Sequence, residues 1–386
     1  MLDDSLPLVT FAVFAYRQER FIREAVEGAL AQTYARLEII LSDDCSSDKT
    51  FPIMRELAAA YRGPHRIVLN RNESNLGLGR HINRVMELAT GELIVAAAGD
   101  DISLPGRTAA LVERWLACAK KPCSIYSALQ AIDADGAPLR TLGAPPKPGP
   151  LAQRLSHFMP GVRGASHAWS RRVFDEFGPL LPDTLCEDRV IPFRSELLGG
   201  IEYLPGAWVR YRIHGNNISL YDNTEAGQIL SATVKINQQN LNILLNYLAD
   251  ADTAVKRQML PGDEAAKIGA VLARRVENVQ HKIAFIQGGR PQKIALILAN
   301  LAGDPAQALR WLAALLFPGL YVWFQQRNFF LMSGGAGEAL AQYAGPLRHG
   351  VGVAFSLAAA LFGIRRLQRL AYLAGAWRRK CGRPAL

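Results

Sequence analysis

The first hundred residues alternate between short apolar segments and amphipathic segments, and this alternation constrains the fold more than any other feature. Val9–Phe14 and Glu92–Ala98 are apolar on both faces, as strands buried between two layers are. Glu19–Thr33 instead places its apolar residues at helical spacing. Two further strands and two further helices are predicted at Leu37–Leu41, Arg66–Asn70, Thr50–Tyr61 and Arg80–Ala89. Strands separated by helices predict a mostly parallel sheet covered on both faces, and therefore an α/β fold.

Acidic and amide residues follow three of these predicted strands. They lie in the segments Tyr16–Glu19, Asp43–Asp44 and Asp100–Asp101. Ligands of open parallel sheets bind beyond the carboxyl ends of the strands, where such loops converge. The sequence therefore predicts one ligand site built from all three loops.

The Gly99-Asp100-Asp101 turn is the clearest chemical signature of the chain. Two adjacent carboxylates repel each other, so a buried strand end keeps both when a cation or a donor-rich ligand compensates. Ligation by oxygen suits Mg²⁺ or Mn²⁺ beside phosphates. The alternative is a solvated helix cap before Ser103-Leu104-Pro105, in which Asp101 binds backbone N–H groups.

The sequence changes character after residue 225. Ile201–Ile213 still has the pattern of a strand, whereas Gln228–Leu248 and Asp263–Gln287 place apolar residues at helical spacing. We therefore expect a sheet domain over residues 1–225 and a helical C-terminal region over residues 226–386.

The last part of the chain is basic and carries two long apolar runs. Residues 251–386 contain 18 Lys and Arg against 6 Asp and Glu, within a net charge of +10 for the whole chain. Trp311–Phe324 and Val351–Ile364 are shorter than the about 20 residues that span a bilayer. Apolar runs flanked by Arg favour helices on a membrane surface over nucleic-acid binding; a pair of core helices is the alternative. The basic cluster beside the second run comprises Arg365, Arg366, Arg369, Arg378, Arg379 and Lys380.

The cysteines and the N-terminus indicate the compartment. Five cysteines without a Cys-x-x-Cys pair predict neither a disulfide framework nor a zinc site, which fits a reducing cytoplasm. The acidic start, Met1-Leu2-Asp3-Asp4, lacks the pattern of a secretory signal. We expect a cytoplasmic protein, peripheral on the inner face of the cell membrane.

Several motifs follow one another in about the first hundred residues of the chain: Val13–Ile22, Ala31–Tyr34, Leu37–Ile40, Ser42–Thr50, Asn75–Leu78, Gly91–Glu92 and Gly99–Pro105. Two later stretches, Cys186–Asp188 and Tyr211–Ser219, add an acidic element and a Tyr-Arg-x-His element. In order and spacing these motifs resemble the family 2 glycosyltransferases, an inverting group with the GT-A fold.

The resemblance implies a role for each matching donor-site residue. Asp44, with Asp43 beside it, corresponds to the acid that binds the nucleotide, and Tyr16 offers a face on which a base can stack. Arg80, with Asn83, begins a helix near the diphosphate, and a helix N-terminus favours anions. An exposed surface arginine is the alternative for Arg80.

The metal motif of the family implies that Asp100 and Asp101 hold Mg²⁺ or Mn²⁺. That motif is commonly Asp-x-Asp, and Ala98 stands here in place of its first acid. Arg17 also replaces the usual Asn after Tyr16. In the Tyr-Arg-Ile-His context, His214 is expected to ligate the metal or to contact the departing diphosphate, and a structural loop histidine is the alternative.

Asp188 is the candidate catalytic base. Inversion by single displacement needs one group to take the proton of the acceptor hydroxyl, and the neighbouring Glu187 is expected to raise the basicity of Asp188 by repulsion. A helix start with a local ion pair is the alternative. For Trp169, stacking on an acceptor sugar and a place in the core are both open.

These expectations combine into a metal-dependent, hexosyltransferase-type enzyme. It would move a sugar from a nucleoside-diphosphate-sugar to an acceptor hydroxyl with inversion, in polysaccharide assembly on a lipid-linked glycan at the membrane. The alternative is a catalytically silent protein of the same fold that binds nucleotide-sugars or serves as a scaffold, which the missing acid at Ala98 favours.

Overall fold

The computed structural model describes residues 6–146, 149–155, 162–214, 229–303 and 305–316. In this part of the chain the strands are β1 Val9–Ala15, β2 Leu37–Asp43, β3 Arg66–Arg71, β4 Leu93–Ala98, β5 Ile102–Ser103, β6 Ser124–Ile132, β7 Pro138–Leu142, β8 Ala168–Ser170 and β9 Ile201–Arg212. The helices are α1 Ile22–Leu30, α2 Thr50–Ala60, α3 Leu78–Leu88, α4 Arg107–Ala117, α5 Leu151–Arg154, α6 Arg172–Phe177, α7 Glu187–Leu198, α8 Ile229–Lys256, α9 Gly262–Gln287, α10 Arg290–Gly303 and α11 Pro305–Leu316. Gly164–Ser166 form a short 3-10 turn before β8.

β1 is the central strand of the parallel half of the sheet. It pairs in parallel with β2 on one side and with β4 on the other, and β3 lies at the edge beyond β2. The register sets Ala15 opposite Asp43 and Phe14 opposite Ala98. The carboxyl ends of β1, β2 and β4 therefore meet at one edge of the sheet, as the sequence predicts.

The second half of the sheet is mixed. β8 runs antiparallel to β4 and to β6, while β9 runs parallel to β6. The two-residue strand β5 is antiparallel to the far end of β9, with Ile102 opposite Arg210. This last pairing brings the end of β9 to the turn that follows β4. The architecture confirms the α/β class and the GT-A-like sheet with a helical C-terminal region.

Alternate residues of the central strands pack into two different cores. Ala12 and Ile94 belong to the core on one face of the sheet, and Phe11 and Val95 belong to the core on the other face. All four side chains are fully buried. Burying a large apolar side chain stabilises a fold by about 1.5–3 kcal/mol. Burial of both faces explains why the strands read as continuous apolar runs.

The described residues fall into two compact units. Those within 1–217 and 235–283 form the first, and those within 218–234 and 284–386 form the second. In the first unit, Leu244 and Tyr247 of α8 and Leu272 of α9 belong to the same core as Ala12. The boundary between residues 225 and 226 stays a prediction, because residues 215–228 lie outside the described part of the chain.

In the second unit, Phe285 and Trp311 stack with their ring centroids 5.2 Å apart. Trp311 is buried, and α11 ends at Leu316. The rest of the predicted run to Phe324, the run Val351–Ile364 and the basic cluster lie outside the described residues. Among the helices that the structure describes, none combines the length and the apolar character that crossing a membrane requires.

Candidate functional site

The loops after β1 and β2 are joined by hydrogen bonds between backbone and side chain. The Arg17 N–H donates to Ser46 Oγ at 2.8 Å, and the Gln18 N–H donates to Thr50 Oγ1 at 2.8 Å. Arg17 adopts a φ of 53°, in the left-handed region. The loop leaves Tyr16 39% exposed, with the Arg17 guanidinium 5.1 Å from the centre of its ring. An aromatic ring with an accessible face thus lies at the carboxyl edge of the sheet.

Asp44 organises the loop that starts α3. Its Oδ1 accepts hydrogen bonds from the Leu76 N–H at 2.9 Å and from Asn72 Nδ2 at 2.8 Å, and its Oδ2 accepts one from the Gly77 N–H at 3.0 Å. A carboxylate offers about four acceptor positions, so these three bonds leave one for a ligand. Asp44 therefore has a structural role in addition to any contact with a nucleotide.

Asp43 is fully buried beside Asp44. Its Oδ2 accepts the Ser46 N–H at 2.9 Å and lies 3.5 Å from Arg71 Nε. Its Oδ1 has no hydrogen-bond partner among the described residues. A buried carboxylate oxygen without a donor is unfavourable, so a ligand that donates a hydrogen bond here would be bound strongly.

The first two turns of α3 present Arg80 and Asn83 in different directions. Arg80 is exposed and makes no hydrogen bond or ion pair within the described chain. Asn83 instead donates to the Leu180 carbonyl at 2.9 Å and accepts the Leu180 N–H at 2.8 Å. Arg80 keeps its cation available for a diphosphate, whereas the amide of Asn83 is used inside the protein.

The turn after β4 brings Asp100 against His214. Asp100 Oδ2 and His214 Nε2 lie 3.0 Å apart, and the two side chains are 12% and 11% exposed. The ring of Phe21 lies 4.8 Å from the His214 ring and fixes its plane. A carboxylate oxygen and an imidazole nitrogen thus lie together, each side chain slightly exposed.

Asp101 points the other way, into the protein. It is 2% exposed, and its Oδ1 accepts the Arg212 N–H at 2.8 Å. Burial, and then the charge of Asp100, raises the pKa of Asp101 well above its usual range. Asp101 thus binds a backbone N–H, as the helix-cap alternative has it, but it is buried instead of solvated and its partner lies at the end of β9. Its assignment as a metal ligand stays a prediction, with Asp100 the better placed of the two.

A divalent cation beside Asp100 requires several ligand atoms from the protein, the substrate or water. Within the described residues, no group of three His, Cys, Asp or Glu side chains could hold a metal ion. Ala98 offers no ligand where the family motif has its first acid. Mg²⁺, however, is commonly held by one or two carboxylates together with substrate phosphates and water. The Asp100–His214 pair fits that arrangement when a diphosphate supplies the remaining oxygens.

Glu187 and Asp188 begin α7 beside the turn Gly164–Ser166. The backbone of Gly164 lies beside Asp188, and a Cβ at Gly164 would lie 2.3 Å from Glu187 Oε1, so the turn packs closely against the start of α7. The next residue, His167, accepts the Ala96 N–H at 3.0 Å, which ties this turn to the end of β4. The two carboxylates therefore lie on the side of the sheet edge that β4 approaches.

Burial dominates the electrostatics of this pair. It raises the pKa of Glu187 to about 8, with repulsion from Asp188 as the second cause, and it also raises the pKa of Asp188. The sequence predicted that Glu187 would raise the basicity of Asp188. Burial is instead the first cause for Asp188, because the start of α7 is covered by the Gly164 turn. A pKa of about 8 leaves Glu187 mostly protonated near neutral pH.

Comparison with known proteins identifies the region that carries the loops. Residues 10–121 match the family model described as "Glycosyl transferase family 2". The match assigns residues 10–121 to the family 2 glycosyltransferases. The matched residues include Tyr16, Asp44, Arg80 and Asp100, whereas Asp188 and His214 lie beyond them.

Several curated proteins are similar to this chain. EpsE of Bacillus subtilis, named as a candidate glycosyltransferase, is 38% identical over 27% of this chain and 37% of its own length. An uncharacterized glycosyltransferase of Haemophilus influenzae is 26% identical over 64% of this chain and 76% of its own length. The succinoglycan biosynthesis protein ExoO of Rhizobium meliloti is 37% identical over 29% of this chain and 30% of its own length. The chain thus spans about a third of two of these relatives.

Two solved structures are similar in fold. Staphylococcus aureus TarS 1–349 in complex with UDP-GlcNAc covers 87% of this chain, is matched over 92% of its own, and has 15% identity with a TM-score of 0.47. The mannosyltransferase PcManGT from Pyrobaculum calidifontis, in complex with GDP-Man and Mn²⁺, has 16% identity and a TM-score of 0.47 over 86% of each chain.

Trp169 is a core residue. It is 1% exposed, and its Nε1 lies 3.5 Å from the sulfur of Met86. Its ring also packs against that of His167, with the centroids 5.2 Å apart. Stacking of Trp169 on an acceptor sugar is therefore wrong, because the strand register of β8 directs the side chain inward.

Two buried arginines near the site were not predicted from the sequence. Arg212 donates through Nε to the Asp100 carbonyl at 3.1 Å and through its backbone to Asp101. Arg107 is fully buried and donates to Ser103 Oγ at 2.9 Å and to the Ala96 carbonyl at 2.8 Å. Both hold the turn after β4 in place. The position of Arg212 two residues before His214 was the available sequence signal for it.

Proposed function

We propose that the protein is an inverting glycosyltransferase that moves a sugar from a nucleoside-diphosphate-sugar to an acceptor hydroxyl. The observation that carries this proposal is the Asp100–His214 pair, 3.0 Å apart, at the sheet edge where the Tyr16 and Asp44 loops also end. Along this edge the nucleotide-binding acid follows β2, the base-stacking ring follows β1 and the Asp100–His214 pair follows β4. Together they would contact the base, the ribose and the diphosphate of a nucleotide-sugar.

The nucleotide would bind against the first two loops. Tyr16 would stack on the base, and Asp44 would accept a hydrogen bond from an imide N–H or a ribose hydroxyl through its remaining acceptor position. The unpaired Oδ1 of Asp43 is a second acceptor nearby. The exposed Arg80, at the N-terminus of α3, would attract the diphosphate, and the helix dipole would add to that attraction.

Asp100 and His214 would hold Mg²⁺ or Mn²⁺ against the diphosphate. When bound, the cation neutralises charge that develops on the leaving diphosphate. The protein residues keep the two ligands oriented: Phe21 packs on the imidazole, and Arg212 fixes the backbone of Asp100. Asp101 would stabilise this turn from within through its bond to Arg212.

Asp188 would act as the general base. In a single displacement, the acceptor oxygen attacks the anomeric carbon as its proton passes to the carboxylate and the bond to the diphosphate breaks. The raised pKa of Asp188 makes it a stronger base than an exposed aspartate. Glu187, still protonated near neutral pH, adds no second negative charge.

The acceptor and the location follow from the C-terminal sequence. The basic, apolar residues beyond 316 would hold the enzyme on the inner face of the membrane, where lipid-linked glycans are assembled. The name of ExoO refers to biosynthesis of a polysaccharide, which agrees with such an acceptor. We therefore propose polysaccharide assembly as the role.

A silent nucleotide-sugar-binding or scaffold protein is the second candidate, and Ala98 favours it. Turnover separates the two. Release of nucleoside diphosphate should be measured over a panel of UDP- and GDP-sugars with Mn²⁺, for the wild type and for Asp188→Asn. Turnover by the wild type with loss in Asp188→Asn, while both bind donor, supports the enzyme. Binding without turnover in both would support the silent protein.

A further inference from the structure

The irregular segment Gly178–Thr184, which we call the bracket segment, leads directly into the Glu187–Asp188 pair. A segment outside helices and strands must satisfy its backbone polar groups through side chains or water. Here side chains from three helices satisfy them. The segment is therefore a fixed part of the molecule immediately before the proposed base.

α7 and α8 hold the beginning of the bracket segment together. Arg194 donates to the carbonyl of Gly178 at 2.7 Å and to that of Pro179 at 3.2 Å. Its Nε also donates to Asp250 of α8 at 2.9 Å, and these two side chains are 2% and 3% exposed. A buried ion pair of this geometry fixes the angle between the two helices, since breaking it would strand a buried charge.

α3 holds the bracket segment from the donor side. Asn83 makes two hydrogen bonds with the backbone of Leu180, and a Cβ at Gly79 would lie 2.9 Å from the Cβ of Thr184. The loop before α3 is itself bonded to Asp44 through the Gly77 N–H. The bracket segment is thus connected to the loop that is proposed to bind the nucleotide.

α8 holds the middle of the bracket segment through Asn246. Its Oδ1 accepts the Leu181 N–H at 3.2 Å, and its Nδ2 donates to Thr184 Oγ1 at 3.2 Å. Asn242, one turn earlier, donates to the Pro182 carbonyl at 3.0 Å. Asn246 is fully buried, and asparagine is an unfavourable residue inside a helix. Its presence is explained by the bonds it makes to the bracket segment.

We propose that Asn246 is a positioning residue for Asp188, and that α8 is therefore part of the catalytic machinery. This inference rests on the proposed function, in which Asp188 is the base. Thr184, held by Asn246, lies only four residues before Asp188, so a shift of the bracket segment would move the carboxylate. Misplacement of a catalytic group by about 1 Å can cost about a hundredfold in rate.

The test compares Asn246→Ala with a matched control on the same helix, in the full chain. Asn240→Ala is that control, because the Asn240 side chain makes no hydrogen bond within the described part of the chain. Turnover of the donor panel with Mn²⁺ is measured as kcat and KM, and exchange of the Leu181 amide is measured by hydrogen–deuterium exchange. We expect kcat to fall about ten- to a hundredfold in Asn246→Ala with KM unchanged, and the Leu181 amide to exchange faster.

Asn242→Ala shows whether a loss of kcat in Asn246→Ala results only from a folding defect. Asn242 is only partly buried, so its variant should fold and show the same kcat loss in weaker form. Wild-type kcat in both asparagine variants, with faster exchange at Leu181, would overturn the inference. If Asp188→Asn also keeps wild-type turnover, the proposed function fails as well; if Asp188→Asn is inactive, only the role of Asn246 fails. No turnover by the wild type would overturn both proposals.

Discussion

His214 Nε2 lies 3.0 Å from Asp100 Oδ2, although 114 positions separate the two residues. The contact depends on the short pairing of β5 with β9, which sets Ile102 opposite Arg210. From there Arg212 bonds to the backbone of Asp100 and to the side chain of Asp101. The proposed metal pair therefore forms because β9 pairs with β5, next to the turn that carries Asp100.

Replacing either member of this pair should weaken Mn²⁺-dependent donor binding. Loss of an outer-shell partner commonly lowers metal affinity about ten- to a hundredfold, so Asp100→Asn and His214→Ala should cost at least that much. Binding of UDP- or GDP-sugars is measured by calorimetry with Mn²⁺ and with EDTA. Equal affinities for wild type and both variants in Mn²⁺ would remove Asp100 and His214 from the metal site. His81→Ala is the control: His81 bonds to Ser42 and not to Asp100, so its loss should leave the effect of Mn²⁺ on donor binding unchanged.

Asp101→Ala should show the opposite pattern and mainly destabilise the fold. The substitution removes the acceptor for the Arg212 N–H, and leaving a buried donor unsatisfied costs about 1–3 kcal/mol. Urea denaturation measures the change in the free energy of unfolding. A stable Asp101→Ala variant that no longer responds to Mn²⁺ would instead identify Asp101 as the metal ligand.

Glu187 should give the protein a stability that depends on pH. Its folded pKa, about 8, lies above its ordinary value of 4.5 because the side chain is buried. The stabilisation is therefore complete below pH 4.5 and is lost as the pH rises through about 8. Glu187→Gln carries no titrating proton, so its unfolding free energy should lose this part of the pH dependence.

The same variant tests which carboxylate is the base. Since Glu187 is protonated near neutral pH, Glu187→Gln should keep turnover below pH 8 close to that of the wild type. Glu113→Gln, on an exposed face of α4, controls for the loss of one carboxylate. Complete loss of turnover in Glu187→Gln at pH 7, with donor binding retained, would make Glu187 the base in place of Asp188.

Tyr16→Ala should weaken nucleotide binding without affecting stability. Stacking of an aromatic ring on a base contributes about 1–3 kcal/mol, so Kd for UDP or GDP should rise at least about fivefold. Tyr16→Phe keeps the ring and should bind as the wild type does. Because Tyr16 is 39% exposed, Tm should stay the same in both variants. Wild-type affinity in Tyr16→Ala would show that the base binds elsewhere.

The sequence predicted the local part of the fold and the donor loops well. The strands β1 to β4 and the helices between them follow from apolar periodicity, and the parallel register then places Asp44 and Asp100 at one edge. What it could not predict depends on contacts between distant segments. The inward turn of Asp101 and the bonds from Asn246 to the bracket segment require β9 and α8 to pack where they do. Periodicity carries no information about such packing.

The basic cluster beyond residue 364 should determine membrane attachment. Each Arg near an anionic surface contributes about 1 kcal/mol to binding, so neutralising three of them should weaken attachment by roughly a hundredfold. The full chain with Arg365, Arg366 and Arg369 all changed to Gln is compared with the wild type. Flotation with vesicles of phosphatidylcholine and phosphatidylglycerol, at low and high salt, measures attachment.

A second variant separates charge near the membrane from charge in general. Arg84, Arg114 and Arg257 are described residues that form ion pairs with Glu87, Glu202 and Glu176. Changing these three to Gln removes the same charge far from the cluster in sequence and should leave flotation as in the wild type. Equal flotation of the Arg365, Arg366 and Arg369 variant and the wild type would mean that the basic tail does not hold this protein on membranes. A lipid-linked acceptor would then lose its main support, whereas the donor site would be unaffected.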